Sequence, residues 1–565
     1  MTNEYLALGT YSRSVNTTSA DAQCWFDRGL RWAYAFNHDE SVRCFTRAIE
    51  FDPECAMAHW GIAYARGPNY NKAWIRFDKS DLKATCHATK AALEKACALT
   101  AGSKSVEATL ITATVSRFPP GDSKDSYDDV DFNALNLAYA DAMRYVYQEF
   151  PDDIDVIALF SEALMCLSPR AFWDIVTGEP IASGSVEART VLEKGMSFQT
   201  SENHPHLFHL YIHLMEMSPF PLKALPMADN LRRLVPEASH LLHMVSHIDS
   251  TCGDYRRAID TNREAMAADD KYFYNGSRPF GMFTLYRAHN IFALAYSAMI
   301  SGRQKDAIAA AQRLSELLTP ELFEMTSPPM ADWAESYVGT IAHVLVRFGR
   351  WEEILQLEIP TRQDLYCSTT AVIFYARGIA LSVLGRTDEA VTQQRYFEIA
   401  RSCVPTSRLN SLPARQVDVL KVAAAMLEGE IQYRKGNFGS AFASLQEAVS
   451  CEDAIPYTEP PPWMQPARHA LGALLLEQNH VQQAEAVYRD DLGFGDLPRR
   501  RCRVSNVWGL QGLHECLMRN GKHEQAQIIR LQRDIAMASA DVHIDVSCLC
   551  RKRAWSEGTA CCSEN

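Results

Sequence analysis

The sequence has no uninterrupted apolar run of about 18 residues, so no segment reads as a membrane-spanning helix. Its N-terminus, Met-Thr-Asn-Glu-Tyr-Leu-Ala-Leu, lacks the basic flank and apolar core of a secretory signal, which points to a cytoplasmic protein with no membrane partner. Long basic runs are also missing, apart from Arg499, Arg500 and Arg501, and 56 basic against 69 acidic side chains give a net charge of −13. Such a surface repels phosphate backbones, and no nucleic-acid partner is expected. The 16 cysteines follow no regular framework, so most read as reduced core or surface thiols. Cys548, Cys550, Cys561 and Cys562 would suit a soft metal ion but lie in or near a polar tail. There is no Gly-x-Ser-x-Gly elbow, phosphate loop or dinucleotide fingerprint. Nor is there a strong alternating pattern of strand residues.

What the chain does have is a repeat. At 565 residues it must either split into domains or grow by stacking units in one dimension. Trp25, Gly29, Trp32, Phe45, Ala48 and Pro53 fall at the offsets of a 34-residue helix-turn-helix unit, with Ser41 where alanine is usual. The spacing returns at Ala295, Gly302, Ala307 and Ala311, and as Gly378 with Ala390. It appears again as Gly429 with Ala441, Leu445 and Ala448, and as Gly472 with Ala484 and Tyr488. Small residues recur where paired helices approach closely, and large ones fill the gaps between units. This pattern resembles the tetratricopeptide family. It implies an all-α fold, a tetratricopeptide-like α-solenoid forming a right-handed superhelix of helix-turn-helix repeats. The expected organisation is an N-terminal extension over 1–21, one solenoid over 22–540 with histidine-rich repeats at 204–300, and a polar, cysteine-containing tail over 541–565. Breaks fall at Arg66 to Lys72, Arg117 to Asp129, Lys271 to Gly281 and Tyr457 to Pro462, where Gly, Pro and Asn interrupt helices. Long loops between repeats often line sites.

Seven of the 17 histidines lie between His204 and His247. On a helix turning about 100° per residue, His206, His209, His213 and Glu216 fall within roughly 80°, and His240, His243 and His247 within roughly 60°. The i, i+4 pairs His209/His213 and His243/His247 let imidazoles from successive turns reach one metal ion. Glu216 adds a carboxylate ligand or proton acceptor. In the repeat register both stripes occupy groove-facing positions of adjacent units, which predicts facing rows of His206 with His240, His209 with His243, and His213 with His247. His289 takes the second position of a later unit and His343 the ninth of another, while Tyr211, Tyr286 and Tyr296 are near enough in sequence to add hydroxyls. A lone histidine on an apolar face is ordinarily core, but six on matching arcs of two adjacent helices are hard to desolvate without a ligand.

Phe36-Asn-His-Asp-Glu40, Cys55-Ala-Met-Ala-His-Trp-Gly61, His209-Leu-Tyr-Ile-His213, His240-Leu-Leu-His243-Met-Val-Ser-His247 and Ala467-Arg-His-Ala-Leu-Gly472 together resemble a group of long bacterial and fungal tetratricopeptide-repeat proteins with paired HxxxH stretches. That likeness runs from about residue 22 to 515 and implies a fold and a site, with no settled activity attached. The metal-ligand candidates are His206, His209, His213, His240, His243, His247 and His289. The catalytic candidates are Glu216 and Tyr211. Histidine with a carboxylate suits iron, copper or zinc. The sequence therefore points to a metal-dependent oxidoreductase acting on a small apolar or aromatic molecule in a groove walled by Phe208, Tyr211, Met215, Met244, Phe283 and Phe292. The other reading is a non-catalytic scaffold that binds a peptide or protein partner. The sequence leaves the oligomeric state open.

Overall fold

The computed structural model describes residues 5–120, 127–274 and 281–551. Regular structure is almost entirely helical. The described residues hold one sheet, a two-stranded antiparallel piece of Leu409–Ser411 and Ala414–Arg415. No helix of the described residues is long and apolar enough to cross a membrane.

Successive helices pair as antiparallel hairpins of the tetratricopeptide type. In the first hairpin α1 (Ala20–Tyr34) is capped by Ser19 and α2 (His38–Phe51) by Asn37, each side-chain oxygen accepting from a first-turn backbone N–H. α3 (Ala56–Arg66) follows across the turn at Pro53. The Phe45 ring fills the space between α1, α2 and α3. A Cβ at Gly29 would lie 2.7 Å from that ring, and one at Gly61 2.6 Å, so both positions must be glycine for the three helices to close on it. Ser41, the departure from the usual alanine, donates from its hydroxyl to the Gly29 carbonyl at 2.7 Å, which satisfies the extra oxygen. The same device recurs later: Leu445 packs where a Cβ on Gly429 would stand, and the Tyr488 ring occupies that space at both Gly472 and Gly512.

The chain divides into two compact units. One takes the chain up to Cys252 together with Arg257–Asn290 and Met325–Pro329; the other takes Gly253–Arg256, Ile291–Glu324 and the chain from Met330 on. In the first unit the helices after α3 are α4 (Lys79–Leu99), α5 (Val106–Val115), α6 (Phe132–Glu149), α7 (Ile154–Met165) and α8 (Ser183–Met196). They lead to α9 (Pro205–Glu216), α10 (Leu225–Leu234) and α11 (Ser239–Cys252), then α12 (Tyr255–Tyr274) and the start of α13 (Met282–Ile300). The described part of the N-terminal extension is tied to this unit. Arg13 pairs with Asp153 and Asp155 at 2.8 and 2.7 Å, Tyr11 donates to Asp155 at 2.6 Å, and the Ala7 amide donates to Glu237 at 2.6 Å.

The second unit stacks hairpins Cys367–Val383 with Thr387–Ser402, Gln416–Arg434 with Phe438–Ala454, Ala467–Glu477 with Val481–Leu492, and Val507–Arg519 with His523–Met537. The expected polar tail is in part packed structure. Ser547 donates to the His469 carbonyl at 3.0 Å and Arg551 forks onto Glu515 at 2.6 and 2.8 Å. Cys548 and Cys550 are joined to each other as a disulfide, so they are not the thiolate ligands considered from the sequence; Cys561 and Cys562 lie outside the described residues.

Candidate metal centre

α9 carries the first stripe because its N-terminus is fixed by two histidine-specific contacts. His204 is the N-cap: its Nδ1 accepts from the Leu207 amide at 3.3 Å, which leaves Nε2 as the N–H that faces Asp155 at 3.2 Å. Burial raises the Asp155 carboxyl, but Arg13, His204 and Tyr11 together outweigh it and hold the group far below the usual carboxylate range. His204 is therefore structural. His206, two residues on, stacks on Tyr34 at 4.4 Å and 6° and points Nε2 to Glu162 at 3.5 Å.

The other six histidines form two groups of three. His209, His213 and His240 bring one ligand atom each within 4.8 Å of one another, and so do His243, His247 and His289. The first group draws on α9 and α11, the second on α11 and α13. Both are buried, His289 less than the rest. The closer ring contacts follow this division: His209 with His240 at 5.1 Å, and His243 with His289 at 4.6 Å. His213 faces His247 at 5.9 Å, as the repeat register predicts, but His209 packs on His240 rather than His243. Partners thus change from 31 to 34 residues apart along the two helices, which is not a ladder of constant register.

Outer-nitrogen partners fix the tautomers. Nδ1 of His209 lies 2.9 Å from the Tyr34 carbonyl, which only accepts, so the ring carries its hydrogen there. Nε2 is then a lone pair, and it has no hydrogen-bond partner among the described residues. Nδ1 of His243 meets Oδ1 of Asn262 at 2.7 Å, and that amide is oriented by its Nδ2 donating to the Ala258 carbonyl at 2.8 Å. Glu216 accepts twice, from His213 Nδ1 at 2.9 Å and His247 Nδ1 at 2.5 Å. His243 and His247 consequently aim Nε2 lone pairs at each other across 2.8 Å. Two lone pairs repel at that separation unless a proton or a cation lies between them. Metal–nitrogen bonds of about 2.0–2.1 Å at right angles would put two ligands about 2.9 Å apart.

Burial, and then the neighbouring imidazoles, push the His209, His240 and His243 pKa values down. These rings are neutral near pH 7, which is the ligand form.

Aromatic side chains close the site. Phe36, at φ 55° in the turn between α1 and α2, sets its ring 4.4 Å from His209 and 5.4 Å from His240. Tyr70, from the loop after α3, covers His213 at 4.3 Å, and Tyr286 covers His240 at 4.6 Å. A cavity of about 530 Å³ adjoins this wall. Buried Phe36, Phe283 and Tyr286 line it together with His38, alongside Arg43, Arg66 and Lys72.

Several expected positions fall elsewhere. Tyr211 is two residues from His209 and so points to the other side of α9, where its hydroxyl donates to Glu193 at 3.0 Å; it is no part of the cluster. Phe208, Met215 and Met244 are core residues, and of the expected groove walls Phe283 alone lines the cavity. His59 binds the Pro53 carbonyl. His343, Phe292 and Arg468 belong to the second unit, where His343 meets Trp463 edge-on at 4.9 Å, Phe292 stacks on Tyr337, and Arg468 forks onto Asp453. Tyr34, Phe36, Tyr70 and Asn262 are the site residues that sequence reasoning missed. The signal for Phe36 was present in the Phe36-to-Glu40 stretch, but the repeat pattern explains a turn there and not a ring in the site.

No protein-family model and no curated protein sequence matches the chain. Among solved structures it is similar to the human IFIT1 dimer with m7Gppp-AAAA, at 12% identity over 90% of this chain and 95% of that one, with a TM-score of 0.34. It is similar to yeast Tom70 at 10% identity over 92% and 91%, with a TM-score of 0.29. The Rap protein complexed with competence and sporulation factor matches at 12% identity over 68% of this chain and 98% of that one, with a TM-score of 0.29. The assignment of the repeat rests on the chain's own hairpins.

Proposed function

We propose that the protein is a metal-dependent enzyme whose buried histidines hold a transition-metal ion, iron, copper or zinc, for oxidoreductase chemistry on a small molecule. The observation that carries this reading is the pair of Nε2 atoms of His243 and His247, 2.8 Å apart, whose outer nitrogens are both committed to acceptors. Neutral imidazoles with one carboxylate nearby suit these metals, and their all-nitrogen inner set favours redox or Lewis-acid work over a structural zinc. The adjoining cavity supplies a place for substrate. Its buried aromatic side chains suit an aromatic or apolar body, and its charged lining, Arg43, Arg66 and Lys72 with Asp39 and Asp81, suits a polar end. Glu216 serves as the acceptor that fixes two ligands, a role that mutation of such groups in metal sites reveals as 10–100-fold losses of affinity.

The peptide-scaffold reading draws less support from this site, because His209, His213, His240, His243 and His247 are all buried and present no surface for a chain to dock on.

Elemental analysis of protein purified without a histidine tag tests the proposal. Bound iron, copper or zinc is expected, abolished by His209→Ala combined with His243→Ala and retained in His59→Ala. Protein that stays metal-free after exposure to all three ions would refute it.

A further inference from the structure

We propose that the cluster holds two metal ions, one on His209, His213 and His240 and the other on His243, His247 and His289, coupled through Glu216. This rests on the preceding reading and deepens it, since a single ion would satisfy that reading equally well.

Three observations favour two ions. First, the donor atoms within mutual ligand reach separate cleanly by residue: neither all-histidine group borrows a member from the other. The third group within reach, His213, Glu216 and His247, takes one histidine from each and so joins them. Second, each group is complete in the sense that catalytic centres need, three protein ligands with a coordination position left over. A single ion held by His209, His213, His243 and His247 has no counterpart in this arrangement, since no group within reach among the described residues holds both His209 and His243. Third, Glu216 is fully buried between the groups and spends its two oxygens on the outer nitrogens of His213 and His247, one from each. A carboxylate placed so raises the basicity of one ligand at each ion and spreads its negative charge over both.

Charge bears on what accompanies the ions. Six neutral imidazoles and one carboxylate leave two divalent ions largely uncompensated in a buried site, and uncompensated buried charge is costly. The arrangement therefore calls for a small bridging anion, such as hydroxide or a substrate carboxylate or phenolate, or for monovalent copper. The cavity beside Phe36 and Tyr286 adjoins the group that contains His240. A substrate oxygen would thus meet the ion on His209, His213 and His240 before the other.

The role of Glu216 makes a discriminating substitution available. Glutamine has the same shape but offers one acceptor oxygen and one NH2 group, and an NH2 cannot face an imidazole N–H. In Glu216→Gln either His213 or His247 must move its hydrogen to Nε2, which removes it as a ligand. One group should fail and the other survive.

The experiment is titration of metal-free, full-length protein with Cu(II) and, separately, Zn(II), followed by removal of loosely held ion and elemental analysis. Wild type should retain two equivalents per chain. His240→Ala and His289→Ala should retain one each, the double variant none, and Glu216→Gln one. Circular dichroism checks that each variant is folded, and the wild-type stoichiometry tests the proposal without any variant. A single equivalent in wild type overturns the two-ion inference and leaves the preceding reading standing. Retention of neither metal by wild type overturns this inference, and with iron likewise excluded overturns both.

Discussion

At the scale of single residues, burial decides what each histidine does. His343 shows the effect without any neighbouring imidazole. Burial alone brings its pKa down from 6.5 to about 4, and its Nδ1 has no hydrogen-bond partner among the described residues. The unfolded chain takes up a proton at this side chain below about pH 6.5, whereas the folded chain does so only near pH 4. Stability is thus lost as pH falls from 6.5 to 4, by up to roughly 3 kcal/mol from this group. Urea denaturation of wild type and His343→Asn across that range should show a flatter pH dependence in the variant; identical slopes would mean that His343 takes up its proton at the same pH in the folded and unfolded chain. The histidine stripes were readable from spacing alone, because i, i+4 repetition places side chains on one face whatever the tertiary context. Tyr211 was misplaced by treating nearness in sequence as nearness in space: two residues along a helix is about 200° of rotation. The place of the Phe36 ring in the site was not legible, for a different reason. A phenylalanine at positive φ is uncommon, no propensity predicts it, and here that backbone is what turns the ring into the cluster.

At the scale of helices, close approach governs. Gly29 and Gly61 let α1 and α3 both close on the Phe45 ring, and Tyr488 does the same work between Gly472 and Gly512. Gly29→Ala puts a methyl group 2.7 Å from ring carbons that have no room to retreat, and should cost about 1–3 kcal/mol by overpacking, beyond any gain in helix propensity. Chemical denaturation measures that loss, and an unchanged or raised midpoint would show that the hairpin can open. This packing was legible in the sequence as the glycine-aromatic-alanine spacing, since it is local to consecutive helices. The pairing between α9 and α11 was only half legible. The expected rows assume neighbouring helices in constant register, but His209 meets His240 while His213 meets His247, and sequence carries no direct record of how adjacent helices are staggered. The tie from Arg13 to Asp153 and Asp155 likewise lay beyond pattern reading, because an irregular segment has no periodicity to betray its partner.

At the scale of the whole molecule, the first unit is discontinuous in sequence, and the site is built from several of its helices. Its histidines come from α9, α11 and α13, and Asn262, which orients His243, comes from α12. A chain ended at Cys252 should therefore lose metal retention at the His289 group and expose the apolar faces left by α12 and α13. Hydrogen exchange and elemental analysis of that truncation check this, and full retention of the metal would place His289 and Asn262 outside the site. The burial of the cluster has one more consequence, and it concerns time. With Phe36, Tyr70 and Tyr286 packed over imidazoles that solvent scarcely touches, the ion proposed for this site would enter or leave only when these covers part. The rate at which a chelator strips the folded protein would then be independent of chelator concentration, set by the opening of its own walls, and cells that make the chain while metal is scarce would hold a population slow to be repaired.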